Sequence, residues 1–168
     1  YPNYVQVVTS QRSGIKTLDD LRGKRVAVGD QNSGVEVNAR NLINGFGMTY
    51  DDLSVDYLGY AEATDALKSG RIDAAFLTSG LPNASLMELQ QSFDLQIVEI
   101  PADRIAEIAQ DKPFFVSLTI PQGTYGNAED VPTAAIQNAL VVHKDMTEDD
   151  VYKLTKTFFE SLPRLESA

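Results

Sequence analysis

No cysteine occurs among the 168 residues, which excludes disulfides, thiolate metal sites and cysteine nucleophiles together. Histidine occurs once, as His143 beside Lys144. No serine nucleophile motif lies near it, so a Ser-His-Asp arrangement has no support. A metal site would need a cluster of carboxylates, and none has a recognisable spacing such as that of an EF-hand loop. Cofactor fingerprints are also missing: Gly29-Asp-Gln-Asn-Ser-Gly34 has neither the lysine of a Walker loop nor the glycine spacing of a dinucleotide site. Basic residues are scarce, 14 against 24 acidic, for a net charge of -10. Without a basic footprint, nucleic acid and anionic membranes are disfavoured as partners. No apolar stretch approaches the ~20 residues needed to span a bilayer, and no signal peptide opens the sequence.

What is present is the composition of an ordinary globular protein, 43% hydrophobic and 23% charged, long enough for one complete core. Strand-like and helix-like segments alternate through most of the chain, the signature of parallel βαβ units. Strands are expected at Val5–Val8, 25–29, 54–59, 72–78, 95–100 and 114–120, and 133–143 reads as extended. Helices are expected at 17–23 behind a Thr17 cap, from Val35 to Gly47 with Val35, Ala39, Leu42, Ile43 and Phe46 on one face, at 61–69, 84–91 and 102–110, and after the Thr147 cap, with a short capped turn at 49–52. Residues 121–132 carry two prolines and two glycines and read as a crossing segment. Val151, Leu154, Phe158, Leu162 and Leu165 form an apolar stripe on the last helix. A chain that starts at Tyr1 and enters a strand almost at once is expected to be a processed product or an excised piece. A mature exported protein also lacks its leader, so the absence of one does not argue for the cytoplasm.

The most informative stretch is Arg25-Val-Ala-Val-Gly29-Asp-Gln-Asn-Ser33-Gly34-Val-Glu36. Val26 and Val28 read as a short strand, Gly29 can take backbone angles closed to other residues, and Ser33 precedes Glu36 in capping-box spacing. Exposed amides of the first helical turn would carry the positive end of the helix dipole and suit a ligand carboxylate. A plain helix cap behind a surface loop explains the same residues equally well. Ligands of open α/β sheets bind beyond the carboxyl ends of the strands. A second loop of that kind is Thr78-Ser79-Gly80, where two hydroxyls follow an apolar strand and could hydrogen-bond a small polar molecule. Its bland alternative is a serine and threonine turn bonded to its own backbone. Most carboxylates, among them Asp19, Asp20, Asp51, Asp52, Glu148 and Asp149, fall in first helical turns, where the dipole favours them structurally.

An ordered series of segments resembles the TAXI family, the extracytoplasmic solute-binding receptors of one class of TRAP transporters. The segments are Tyr1-Pro-Asn-Tyr4-Val-Gln-Val-Val8, Gly14-Ile-Lys-Thr-Leu-Asp-Asp-Leu-Arg-Gly-Lys-Arg-Val26, Asn32-Ser33-Gly34-Val35-Glu36, Tyr57-Leu-Gly-Tyr-Ala-Glu-Ala63, Leu67-Lys-Ser-Gly-Arg-Ile-Asp-Ala-Ala-Phe76 and Asn138-Ala-Leu-Val-Val142. They run over nearly the whole chain. One departure is Asn32, where the family has glycine; asparagine tolerates left-handed geometry, so the loop keeps its shape.

The resemblance implies a periplasmic-binding-protein-like fold of type II, an α/β lobe with a mostly parallel sheet flanked by helices. Residues 1–132 would be the second ligand-binding lobe. Residues 133–168 would be a crossover and a C-terminal helix returning to a first lobe that is mostly absent. The stripe of that helix would then be exposed, repacked or covered by another copy, which leaves self-association of the fragment open. The implied role is a periplasmic or otherwise extracytoplasmic receptor, without a cofactor and not an enzyme, which hands a glutamate-like amino acid or organic acid to a TRAP permease. The expected ligand-binding residues are Asp30, Gln31, Asn32, Ser33, Gly34, Val35, Thr78, Ser79 and Gly80. In that scheme the amides of Ser33, Gly34 and Val35 hold a carboxylate, Gln31 and the Thr78 and Ser79 hydroxyls orient it, and Asp30 can pair with an ammonium. Alternatives on the same architecture are an enzyme, for which Asp30 is the best acid or base, and a regulator's effector domain, which would need a basic DNA-binding segment.

Overall fold

The computed structural model describes residues 1–162, so Leu165 of the expected stripe lies outside the described residues. Residues Tyr1–Asn138 form one compact unit and the segment from Ala139 a second.

The first unit is built on a seven-stranded sheet. Its strands are β1 Pro2–Ser10, β2 Arg25–Ala27, β3 Ser54–Asp56, β4 Ala74–Ser79, β5 Leu95–Ile97, β6 Phe115–Ile120 and β7 Val131–Gln137. Its helices are α1 Gly34–Gly45, α2 Tyr60–Lys68, α3 Ala84–Leu89 and α4 Ala102–Ala109. The strand order is β3-β2-β4-β1-β7-β6, with β5 also paired to β1. β2 runs parallel to β3 and β4, whereas β1 is antiparallel to β4, β5 and β7, and β6 to β7. Following those pairings, β2, β3, β4, β5 and β7 point one way and only β1 and β6 the other. The sheet is mostly parallel in strand direction, as expected. Because the reversed β1 sits in its middle, most of its adjacent pairs are nevertheless antiparallel.

Strand alternation divides the core into two layers. Val5, Val7, Val26, Val28, Ala74 and Phe76 face one side, where Ala39, Leu42 and Ile43 of α1 and Ile105 and Ile108 of α4 cover them. Val8, Ala27, Ala75 and Leu77 face the other, under Ala63, Ala66 and Leu67 of α2 and Leu86 and Leu89 of α3. The expected apolar face of α1 is therefore the packed one. An added Cβ at Gly45 would lie 2.4 Å from Ile108 Cγ1, so glycine is what allows α1 and α4 to approach so closely.

Helix starts follow the side chains that cap them. Thr17 and Thr49 close capping boxes with Asp20 and Asp52 at short 3-10 turns, and Asn83 caps α3 through the Leu86 amide. β1 is longer than the Val5–Val8 core suggested, because its polar ends also pair. β7 begins at Val131 and runs to Gln137 within the sheet, so the extended stretch expected after 133 is a sheet strand as far as Gln137.

In the second unit, helix α5 spans Glu148–Glu160 and is capped by Thr147, whose hydroxyl accepts from the Asp150 amide at 3.2 Å. None of its residues is buried. Leu154 and Phe158 of the expected stripe are exposed, as are Tyr152 and Phe159, while Val151 and Leu162 are half-buried.

Candidate functional site

The carboxyl ends of β2, β3 and β4 lie on one edge of the sheet, since the three strands are parallel. The loop after β2 turns sharply into α1. The Ser33 amide donates to the Asp30 carbonyl at 3.0 Å, closing a turn whose third residue, Asn32, has φ 63°. That left-handed value is the geometry asparagine was expected to supply. Gly29 has φ 92°, and a Cβ there would stand 2.7 Å from Val35 Cβ and 3.2 Å from Ser33 Oγ. The first turn of α1 thus rests directly on the Gly29 backbone.

Ser33 caps α1, its hydroxyl accepting from the Glu36 amide at 3.2 Å. The reciprocal half of the box is not made. Glu36 is buried, its carboxylate accepts the Tyr50 hydroxyl at 3.0 Å and lies 3.4 Å from the Arg40 guanidinium. Burial first, and then the bond to Glu36, push the Tyr50 phenol well above its ordinary value. Of the three amides expected to face a ligand, that of Ser33 is taken by Asp30, which corrects the expectation for this residue. The amides of Gly34 and Val35 have no partner among the described residues.

Asp30 is exposed, and its carboxylate lies against the start of α2: a Cβ at Gly59, the cap of that helix, would be 3.4 Å from Asp30 Oδ2. The α2 dipole therefore accounts for part of this carboxylate's placement. Tyr60 ties the same corner to β4 by donating its hydroxyl to the Thr78 carbonyl at 2.5 Å. Burial raises the Tyr60 phenol above its usual value, and the charge of Asp30 adds to it. Gln31 and Asn32 are exposed on the loop, and Gly80 is exposed at the end of β4.

Thr78 and Ser79 do not act together. As neighbours in β4 they point to opposite faces. Thr78 shares the α1 face with Phe76. Its hydroxyl is buried, with the residue only 8% exposed, and has no hydrogen-bond partner among the described residues. Ser79 faces the other side, where its hydroxyl accepts from Gln6 Nε2 at 2.9 Å and Asn83 Nδ2 at 3.0 Å and donates to the Gly80 carbonyl at 3.0 Å. With those bonds made, it serves the fold, and the expectation that it orients a ligand is corrected. Tyr125 completes this cluster by donating to Gln6 Oε1 and accepting from the Asn83 amide at 2.6 Å. Sequence reading missed Gln6, Tyr60, Asn83 and Tyr125. The signal available for one of them was Gln6 itself, an amide inside the apolar run Val5-Gln-Val-Val8.

Among the described residues no group of three or more histidine or acidic side chains could hold a metal ion, and no helix is long and apolar enough to cross a membrane. Among the described residues, the site therefore has two amides without a partner at a helix N-terminus and one buried hydroxyl without a partner.

Several solved structures are similar to this chain. A mutant of ArgBP from T. maritima matches with TM-score 0.51 at 17% identity, over 99% of this chain and 55% of that one. The substrate binding protein of an amino acid ABC transporter matches with TM-score 0.50 at 16% identity, over 99% and 56% respectively. A putative sulfonate ABC transporter's periplasmic sulfonate-binding protein, SsuA from Methylobacillus flagellatus KT, matches with TM-score 0.50 at 18% identity, over 82% and 35%. This chain therefore has the α/β fold of periplasmic solute-binding proteins and spans little more than half the length of the first two and about a third of the last. The sequence itself matches the NMT1-like family from its first residue to its last, 1–168, and the chain belongs to that family.

Proposed function

We propose that this chain is the second ligand-binding lobe of an extracytoplasmic solute receptor of the TAXI type, which captures a small carboxylate and delivers it to a TRAP permease. In this reading it is not an enzyme. The sheet-bearing unit Tyr1–Asn138 is the lobe, and the segment from Ala139 begins the return to the other one. The observation that carries the proposal is the combination at the edge of β4. The free Gly34 and Val35 amides open a 12-residue helix, and the unpartnered Thr78 hydroxyl is buried on the same face of the sheet. A buried hydroxyl without a partner costs stability, and a ligand oxygen that accepts from it repays that cost on binding. The two amides hold the carboxylate with the help of the helix dipole. Exposed Gln31 orients it, and Asp30 favours ligands that also carry an ammonium. Membership of the NMT1-like family and the fold of the solute-binding neighbours support the receptor reading.

Thermal denaturation of the full-length protein with glutamate, glutamine, succinate and 2-oxoglutarate tests it. At least one of them raises the Tm in a concentration-dependent way, by mass action on the folded state. If none does, and isothermal titration detects no heat with any of these or with phenylacetate and 4-methyl-2-oxopentanoate, the carboxylate-receptor reading is wrong.

A further inference from the structure

Across the sheet from α1, at the same edge, lies a concave surface of about 620 Å³ that the anion site does not use. Tyr1, Tyr4, Leu81, Pro82, Met87 and Pro121 line it, and none of its lining side chains is charged on a protein of net charge -10. Its volume lies in the range of small-molecule pockets. Both of its walls are held by one side chain. The Tyr125 hydroxyl accepts from the Asn83 amide, which pins the 80–83 loop, while its ring anchors the 121–125 loop in the core and its proton goes to Gln6 of β1. The Ser79 to Asn83 bond holds the same loop a second time. An apolar concavity braced in this way is preorganised, which lowers the cost of binding.

Its position gives it a purpose. Gly80 lines the cavity, and two residues earlier in β4 Thr78 turns its unused hydroxyl to the α1 face. Two residues of strand span about 7 Å, and Gly80 itself carries no side chain. We infer that the cavity receives the apolar body of the ligand, so that the substrate class is a carboxylate bearing an aromatic or branched aliphatic group. This rests on the anion site proposed above. The carboxylate sits on the Gly34 and Val35 amides, the chain of the ligand crosses Gly80, and the ring or branched group packs on Tyr4, Leu81 and Met87.

Isothermal titration on the full-length protein compares phenylacetate and 4-methyl-2-oxopentanoate with acetate and succinate, and adds phenethyl alcohol as a ring without the carboxylate. Burying a phenyl or branched aliphatic group predicts that phenylacetate and 4-methyl-2-oxopentanoate bind roughly tenfold to hundredfold tighter than acetate. In Met87→Glu, whose side chain is exposed and so tolerates the change, that advantage disappears while acetate or succinate binding is kept. Equal affinity for acetate and phenylacetate, or a Met87→Glu variant that weakens all carboxylates alike, overturns the cavity assignment and leaves the anion site standing. Phenethyl alcohol binding as tightly as phenylacetate, with both lost in Met87→Glu, keeps the cavity and removes the anion site. Binding of none of these probes overturns both.

Discussion

Replacing Thr78 by valine separates the cost of the unpartnered hydroxyl from its use. The two side chains have nearly the same shape, so the packing of β4 against α1 is retained while the polar atom is removed. The Thr78 oxygen is buried and has no hydrogen-bond partner among the described residues. Relief of such a group contributes about 1–3 kcal/mol. For a protein of this size each kcal/mol moves the Tm by roughly 2–4 °C, so Thr78→Val without ligand should melt about 2–12 °C higher. The same substitution removes a donor from the carboxylate, and a charge-assisted hydrogen bond lost on binding weakens affinity by roughly tenfold or more. Differential scanning calorimetry gives the first quantity, and titration with whichever carboxylate binds the parent protein gives the second. A Tm that stays level or falls would mean the hydroxyl is satisfied in the folded protein. A stabilised variant with parental affinity would remove Thr78 from the site.

Gly29→Ala should be destabilising, since the left-handed backbone alone costs roughly 1–2 kcal/mol and the new methyl meets Val35 at 2.7 Å. Gly34→Ala, where nothing lies within 4 Å and φ is not positive, should melt within a few degrees of the parent; equal Tm values for the two variants would contradict the turn geometry. Asp73 accepts from the Arg25 amide at 2.9 Å and from its guanidinium at 2.7 and 3.1 Å, and Arg25 holds its carboxyl below the ordinary 3.8. A lowered folded pKa contributes stability that is complete above the unfolded value and lost as pH falls through the folded one. Asp73→Asn should therefore be less stable than the parent at pH 7, with the gap closing only below pH 3.8. A gap that is independent of pH would exclude the charge as its source.

The fold class was legible because its signals are local. The apolar spacing of Val35, Ala39, Leu42, Ile43 and Phe46 places α1 against the sheet, and the threonines at 17, 49 and 147 each start the element they were expected to start. The left-handed Asn32 was expected from the family resemblance, which has glycine there, together with asparagine's tolerance of that geometry. At the candidate site the sequence reading and the structure differ in their details. Ending β4 at Thr78 made Ser79 look like a loop residue, when it is the last residue of the strand and faces the opposite layer. Capping-box spacing at Ser33 and Glu36 was read correctly, but Tyr50, fourteen residues further on, takes the carboxylate.

Sequence alone determined that this is a cysteine-free, acidic α/β chain whose helices begin at their caps and whose strands bury alternate side chains, because those properties depend on neighbours within a few positions. Tertiary structure alone decided that β1 runs against the strands on either side of it, that Ser33 and Ser79 are used up by the fold, and that the Thr78 hydroxyl is left over. Strand direction, burial and the satisfaction of a polar atom each depend on which distant segments meet, and no periodicity along the chain records that.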